Sequence, residues 1–183
     1  MIPDFVEWPK IPRLSREIIV TEKIDGTNGV IYIGEDGEFL AGSRTQWLLG
    51  SDNHGFGAWA AQNRDELMKL GPGRHYGEWW GSGIQRGYGL QKGEKRFSLF
   101  NVSRWTDETR PACCLSVPIL YRGDFNTAAI EAQISRLQAY GSIAAPGFMK
   151  PEGVVIFHPQ GNVGFKKTIE RDEKWKGKQP KVA

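Results

Sequence analysis

An amine and a carboxylate stand on either side of one residue at Lys23-Ile24-Asp25, and Gly26 follows directly. The run before them, Glu17-Ile18-Ile19-Val20-Thr21-Glu22-Lys23, is rich in β-branched residues and has a period of two. This predicts a strand and puts Lys23 and Asp25 on one face of it. Glycine at the next position lets the backbone turn sharply. A lysine presented this way is a candidate nucleophile, although the same four residues also suit an ordinary turn at a strand end. Nucleophilic attack needs a neutral amine, whereas free lysine has a pKa of ~10.4. Being substantially neutral near pH 7 takes a shift of about 3 units, roughly 4 kcal/mol, which burial and a nearby cation can supply. Lys23 therefore needs positive company from elsewhere in the chain.

The composition bounds where that company can come from. The 183 residues are enough for one domain with a sizeable core, and 25% charged with 39% hydrophobic residues is a globular balance. No long apolar run or signal-like start points to a membrane or a secretory route, so a cytoplasmic location is expected. The two cysteines, Cys113 and Cys114, are adjacent, which excludes a disulfide framework and the spacing of a zinc site. They are expected on a half-buried strand. His54, His75 and His158 are scattered and make no histidine metal site. The net charge of +3 is compatible with a basic patch facing an anionic partner. Seven tryptophans and 23 glycines predict a sheet-rich fold with tight loops.

The elements that must position the lysine follow in order. Pro3, Pro9 and Pro12 keep Met1 to Arg16 out of a helix, and Trp8 is expected to anchor that lead-in to the core. Strands are predicted at Gly29 to Gly34 and Glu38 to Arg44 around the Asp36-Gly37 turn, making three antiparallel strands early. A helix is predicted from Gly57 to Leu70, ended by Gly71-Pro72-Gly73. Strands are expected again at His75 to Gly81, Arg96 to Val102 and Cys114 to Tyr121, the last broken by Pro118 and hence at an edge. Asn126 caps a helix reaching Tyr140, with Ile130, Ile134 and Leu137 as its buried stripe and Gly141 as its stop. Gly153 to Phe157 and Val163 to Thr168 close the pattern. The reading gives one domain over 1–170 and a lysine-rich polar tail over 171–183, whose Lys174, Lys176, Lys178 and Lys181 face solvent or the phosphates of an anionic partner. Trp79, Trp80, Arg86 and Tyr88 mix aromatics with a cation and suit either a platform that stacks on unpaired bases or the core.

Taken together, Lys23-Ile24-Asp25-Gly26, Ser43-Arg44, Gly77-Glu78, Phe97 to Asn101, Glu152-Gly153-Val154-Val155 and Lys166-Lys167 recur in a particular order. That order resembles the RNA ligase branch of the ATP-dependent ligase and mRNA-capping superfamily, and the Thr27-Asn28 extension resembles RNA ligases in particular. The resemblance runs from about Glu17 to Glu170. It implies an α+β fold: an antiparallel-sheet nucleotidyltransferase (adenylation) domain with ATP-grasp-like two-sheet architecture and the active site between the sheets.

The resemblance also implies a chemistry. Lys23 would attack ATP to form a lysyl-AMP phosphoramidate, AMP would pass to a 5′-phosphate RNA end, and a 3′-hydroxyl would displace it to seal the strand, as in RNA repair. Catalytic work would fall to Lys23, Glu152 and Lys166, with Glu152 the carboxylate for Mg²⁺ or Mn²⁺. The nucleotide would be held by Glu22, Asp25, Arg44, Glu78 at the ribose, Phe97 or Phe100 at the adenine, and Lys166 or Lys167 at the phosphates. Arg44 and Asn28 would meet the RNA. Relatives carry Lys-x-Lys on the last strand, whereas here Lys166 and Lys167 are adjacent and point to opposite faces, so only one reaches the phosphate and Lys166 is preferred. The motif's aspartate is replaced by Asn101, which points to a structural part. The competing readings are a DNA ligase, a capping-type guanylyltransferase, or a catalytically silent protein that binds RNA ends or nucleotides.

Overall fold

The computed structural model describes residues 2–50, 52–170 and 172. Among these residues nine strands form two sheets, ordered β7-β1-β8-β9 and β3-β2-β4-β5-β6. The strands are β1 (Glu17–Lys23), β2 (Thr27–Ile33), β3 (Phe39–Gly42), β4 (Gly73–Gly81), β5 (Lys95–Leu99), β6 (Leu115–Ser116), β7 (Ile119–Asp124), β8 (Gly153–His158) and β9 (Val163–Thr168). All pairings are antiparallel except β5 with β6. Mixed α+β, antiparallel-dominated and single-domain, the fold agrees with the expectation.

β1 lies between β7 and β8, and its apolar run is buried on both faces. Ile18 and Val20 meet Val154 and Ile156 of β8 and pack under Ile130, Ile134 and Leu137 of helix α3 (Thr127–Tyr140). That helix starts as predicted, with the Asn126 carboxamide oxygen accepting from Ala128 and Ala129 N–H groups. The alternate residues, Ile19, Thr21 and Lys23, face the other sheet, and between the sheets Ile19, Ile24, Trp80, Tyr88, Val102 and Val117 form a shared core. On the far side of the five-stranded sheet, Ile31, Trp79, Phe97 and Leu99 pack on Phe56 and Ala60 of helix α1 (Phe56–Gln62) and Leu67 of helix α2 (Arg64–Leu67).

Several local expectations change. β1 does not join β2 and β3: the chain leaves one sheet at Lys23 and enters the other at Thr27, so the Ile24-Asp25-Gly26 turn crosses between them. The second strand starts at Thr27 rather than Gly29. The helix predicted over 57–70 breaks at Asn63, whose backbone leaves the helical region (φ −103°, ψ 17°) while its amide donates to the Trp59 carbonyl. The strand over 114–121 is two strands in different sheets, divided at Val117-Pro118, and both are edge strands. Cys113 and Cys114 precede β6 in a turn, and Cys114 is buried against α2's side of the core. Trp8 is 79% exposed and anchors nothing; extended, Pro-fixed backbone carries it over the surface. The tail over 171–183, its four lysines included, lies outside the described residues apart from Asp172.

Candidate active site

A cavity of about 460 Å³ opens between the sheets. Its walls are Ile19, Thr21 and Lys23 from β1, Val155 and Phe157 from β8, Asn28 and Glu78 from β2 and β4, and the Phe100–Ser103 segment. Lys23 sits at one end, where its Nζ meets a Glu152 carboxylate oxygen at 2.6 Å. Both side chains are about one-fifth exposed, at 23% and 19%. The pairing is built by register: Lys23 lies opposite Gly153, the first residue of β8, so Glu152 arrives at the tip of the lysine.

Gly26 is required where it stands. Its N–H donates to Glu78 Oε1 at 3.0 Å, and a Cβ there would lie 2.4 Å from the Trp79 carbonyl oxygen. The turn after Lys23 can therefore press against β4 only without a side chain. Asn28 donates from Nδ2 to Glu78 Oε2 at 3.2 Å, so both oxygens of this buried carboxylate are held by the motif that carries the lysine. Burial pushes the Glu78 carboxyl up to about 7; the Gly26 N–H and Lys23 pull the other way, and Glu152 and Asp25 add to the rise.

Asp25 does not line the cavity. Its carboxylate takes Arg86 Nε at 2.9 Å, and the same guanidinium donates to the Lys150 carbonyl at 2.9 Å. Arg86 thus ties the turn after Lys23 to the segment just before Glu152. The buried Tyr88 hydroxyl accepts from the Asp25 N–H at 2.9 Å and completes this support. The residues weighed as an RNA platform have this work instead: Trp79, Trp80 and Tyr88 are at most 2% exposed. Glu22 borders the cavity, but its carboxylate is turned behind the strand, accepting from Ser142 Oγ and from the Ile143 and Ala144 N–H groups. It holds the loop at 142–144. Neither the Arg86 link nor the Glu22 link had a sequence signal, because their partners lie 61 and more residues away.

The other expected residues separate cleanly. Phe97 is fully buried against Phe56 and Trp59, while Phe100 is 40% exposed at the cavity wall, so only Phe100 is presented to a ligand. Lys166 lies opposite Val155, which lies opposite Thr21, so it shares the cavity face. Lys167 is on the reverse face, paired with Glu131 of α3 at 3.1 Å, and does not reach the cavity. Arg44 is exposed in the turn after β3 and does not line the cavity. Asn101 lines it, yet its side-chain oxygen accepts from the Arg104 N–H in a local turn.

Among the described residues no three His, Cys, Asp or Glu side chains come close enough to cage a metal. Glu152 is not itself in the cavity wall, but it offers hard carboxylate oxygen beside Lys23, which is. Mg²⁺-type sites commonly use one or two carboxylates together with substrate phosphates, and the donor set fits a cation shared in that way. No helix among the described residues is long and apolar enough to cross a membrane.

Comparison with known proteins agrees with this geometry. The family model described as RNA ligase matches residues 16–171. No curated protein sequence matches the chain significantly. Among solved structures, ligand-free Naegleria gruberi RNA ligase is similar with a TM-score of 0.61 at 21% identity, over 91% of this chain and 57% of that one. Variants of the same ligase with ATP and Mn, and with AMP and Mn, give 0.59 and 0.58, both at 20% identity. They cover 86% and 85% of this chain against 51% and 50% of theirs. The likeness is one of fold, and the chain spans about half the length of these relatives.

Proposed function

The chain belongs to the RNA ligase family, and from that membership we propose an ATP-dependent RNA ligase whose nucleophile is Lys23. The observation that carries this reading is the 2.6 Å contact of Glu152 with Lys23, a lysine in the wall of a nucleotide-sized cavity between two sheets. The carboxylate that holds the Lys23 ammonium is the group that would hold a divalent cation, and that exchange would give the amine the positive company its attack requires.

In the proposed course, Lys23 leaves Glu152, gives one ammonium proton to solvent, and its neutral Nζ attacks the α-phosphorus of ATP. An N–P bond forms, the bond to pyrophosphate breaks, and a second nitrogen proton passes to solvent. An RNA 5′-phosphate oxygen then bonds to that phosphorus as the N–P bond breaks and Lys23 takes back its protons, after which a 3′-hydroxyl oxygen, its proton passing to solvent, displaces AMP to form the phosphodiester. Glu152 would hold Mg²⁺ or Mn²⁺, which supplies positive charge against the phosphates. Lys166, on the cavity face, would meet the phosphates. Glu78 would accept from the ribose hydroxyls and Phe100 would stack on adenine. Asn28, fixed by Glu78, and Arg44 would act on the RNA.

Intact-mass spectrometry after incubation with ATP and Mg²⁺ or Mn²⁺ tests the reading. One AMP adduct is expected on the wild type, absent from Lys23→Ala, much reduced in Lys166→Ala and retained in Lys167→Ala. No adduct with either metal, or one that survives Lys23→Ala, would overturn it. GTP in place of ATP, and then DNA ends in place of RNA, separate the capping and DNA-joining chemistries.

A further inference from the structure

We propose that the cavity continues onto the open face of the five-stranded sheet as a base-stacking strip. Tyr76, Tyr32, Trp47 and Arg74 build it, and it takes the unpaired nucleotides next to an RNA end. The choice of RNA rests on the ligase reading above; the strip itself rests on strand alternation. Glu78 and Asn28 face each other across β4 and β2 inside the cavity. Successive steps of two residues keep the same face, which places Tyr76 opposite Val30, and then Arg74 opposite Tyr32. From Glu78 to Arg74 the strip runs about 13 Å along β4.

The side chains on it are unusual for an open face of an antiparallel sheet, where polar residues are the rule. Tyr76 is 56% exposed. Phe100, at the cavity mouth, is joined to it by a backbone hydrogen bond of 3.0 Å from its N–H to the Tyr76 carbonyl. The Arg74 guanidinium carbon lies 5.1 Å from the centre of the Tyr32 ring, and the Trp47 ring lies 5.9 Å from Tyr32. Trp47 covers Gly42, where a Cβ would come within 2.9 Å of its indole and 2.7 Å of Val30. Trp47, Tyr32 and the Arg74 guanidinium thus form one run of contacts, with Tyr76 two residues along β4 on the same face. The turn that seats Trp47 also carries the exposed Arg44.

Rings interleaved with guanidinium groups stack on bases while the cations meet phosphates. Base faces are available only in unpaired nucleic acid, because a duplex buries them in its own stack. The same residue types also anchor protein interfaces; RNA is the choice because the strip runs on from the cavity in which the ligase reading places the nucleotide.

The test is equilibrium binding of a short fluorescein-labelled single-stranded oligoribonucleotide, and of a duplex of the same sequence, at low and high salt. Tyr76→Ala is expected to weaken the single strand about tenfold at either salt, to leave the duplex unchanged, and to be rescued by Tyr76→Trp. Arg74→Ala is expected to flatten the salt dependence. Single-strand affinity indifferent to Tyr76→Ala, equal losses for single strand and duplex, or failure of Tyr76→Trp to rescue would each overturn the strip. The two readings fail separately. Tyr76-dependent binding in a protein that forms no AMP adduct sustains the strip and sinks the ligase. Adduct formation with binding indifferent to Tyr76 does the reverse.

Discussion

Glu78 carries the sharpest consequence at the scale of single residues. Burial holds its carboxyl at about 7 against an ordinary value of 4.5. Between those values the folded protein keeps a proton that the unfolded chain has released. Stability contributed by Glu78 is therefore fully present below about pH 4.5 and is lost as pH rises through about 7. The loss is on the order of 3 kcal/mol. In Glu78→Gln this decline should disappear: Tm measured across the range should match the wild type at the acid end and exceed it above pH 7. That Glu78 is a carboxylate inside an aromatic strand was legible, but its state was not, because that depends on the 26–28 turn folding onto it. The lysine pair was resolved the same way. Sequence alternation said that Lys166 and Lys167 oppose each other, and only Glu131 of α3, ion-paired to Lys167, settles which face each one takes.

Elements with local causes were legible and those with distant causes were not. Helix α3 appears with its cap, stripe and stop because all three are short-range. The predicted 57–70 helix breaks because Asn63 offers its side chain to the preceding turn. Periodicity marks a strand but does not say which sheet it joins, so β1 was grouped with β2, and the single strand over 114–121 hid a change of sheet. The link made by Arg86 belongs to this scale, since it joins the end of β1 to the start of β8 through Asp25 and the Lys150 carbonyl. Arg86→Ala should slow AMP adduct formation by about ten- to a hundredfold through misplacement of Lys23 against Glu152. Arg86→Lys should rescue it poorly, because an ammonium lacks the planar fork that spans both partners. Single-turnover adduct kinetics measure this, and an unchanged rate in Arg86→Ala would remove the link from the mechanism.

At the scale of the molecule, a fold of two sheets with a cavity between them was legible through the family resemblance and not through composition. The exposed lead-in around Trp8 was misjudged, because a tryptophan count does not say which rings are buried: Trp79, Trp80 and Trp105 are, and Trp8 is not. The strand order has a further consequence, and it concerns time. All strands of the five-stranded sheet come from one continuous stretch, 27 to 116, whereas β1 finds its partners only at 119–124 and 153–158. Long-range pairings close late, since loop entropy must be overcome first. In pulse-labelled hydrogen exchange during refolding, amides of β2 and β4 should gain protection before those of Ile18 to Val20. A nascent chain would then hold Lys23 on an unpaired, apolar strand until residues 153–158 had been made. For that interval the Ile18-Ile19-Val20 run is an aggregation hazard.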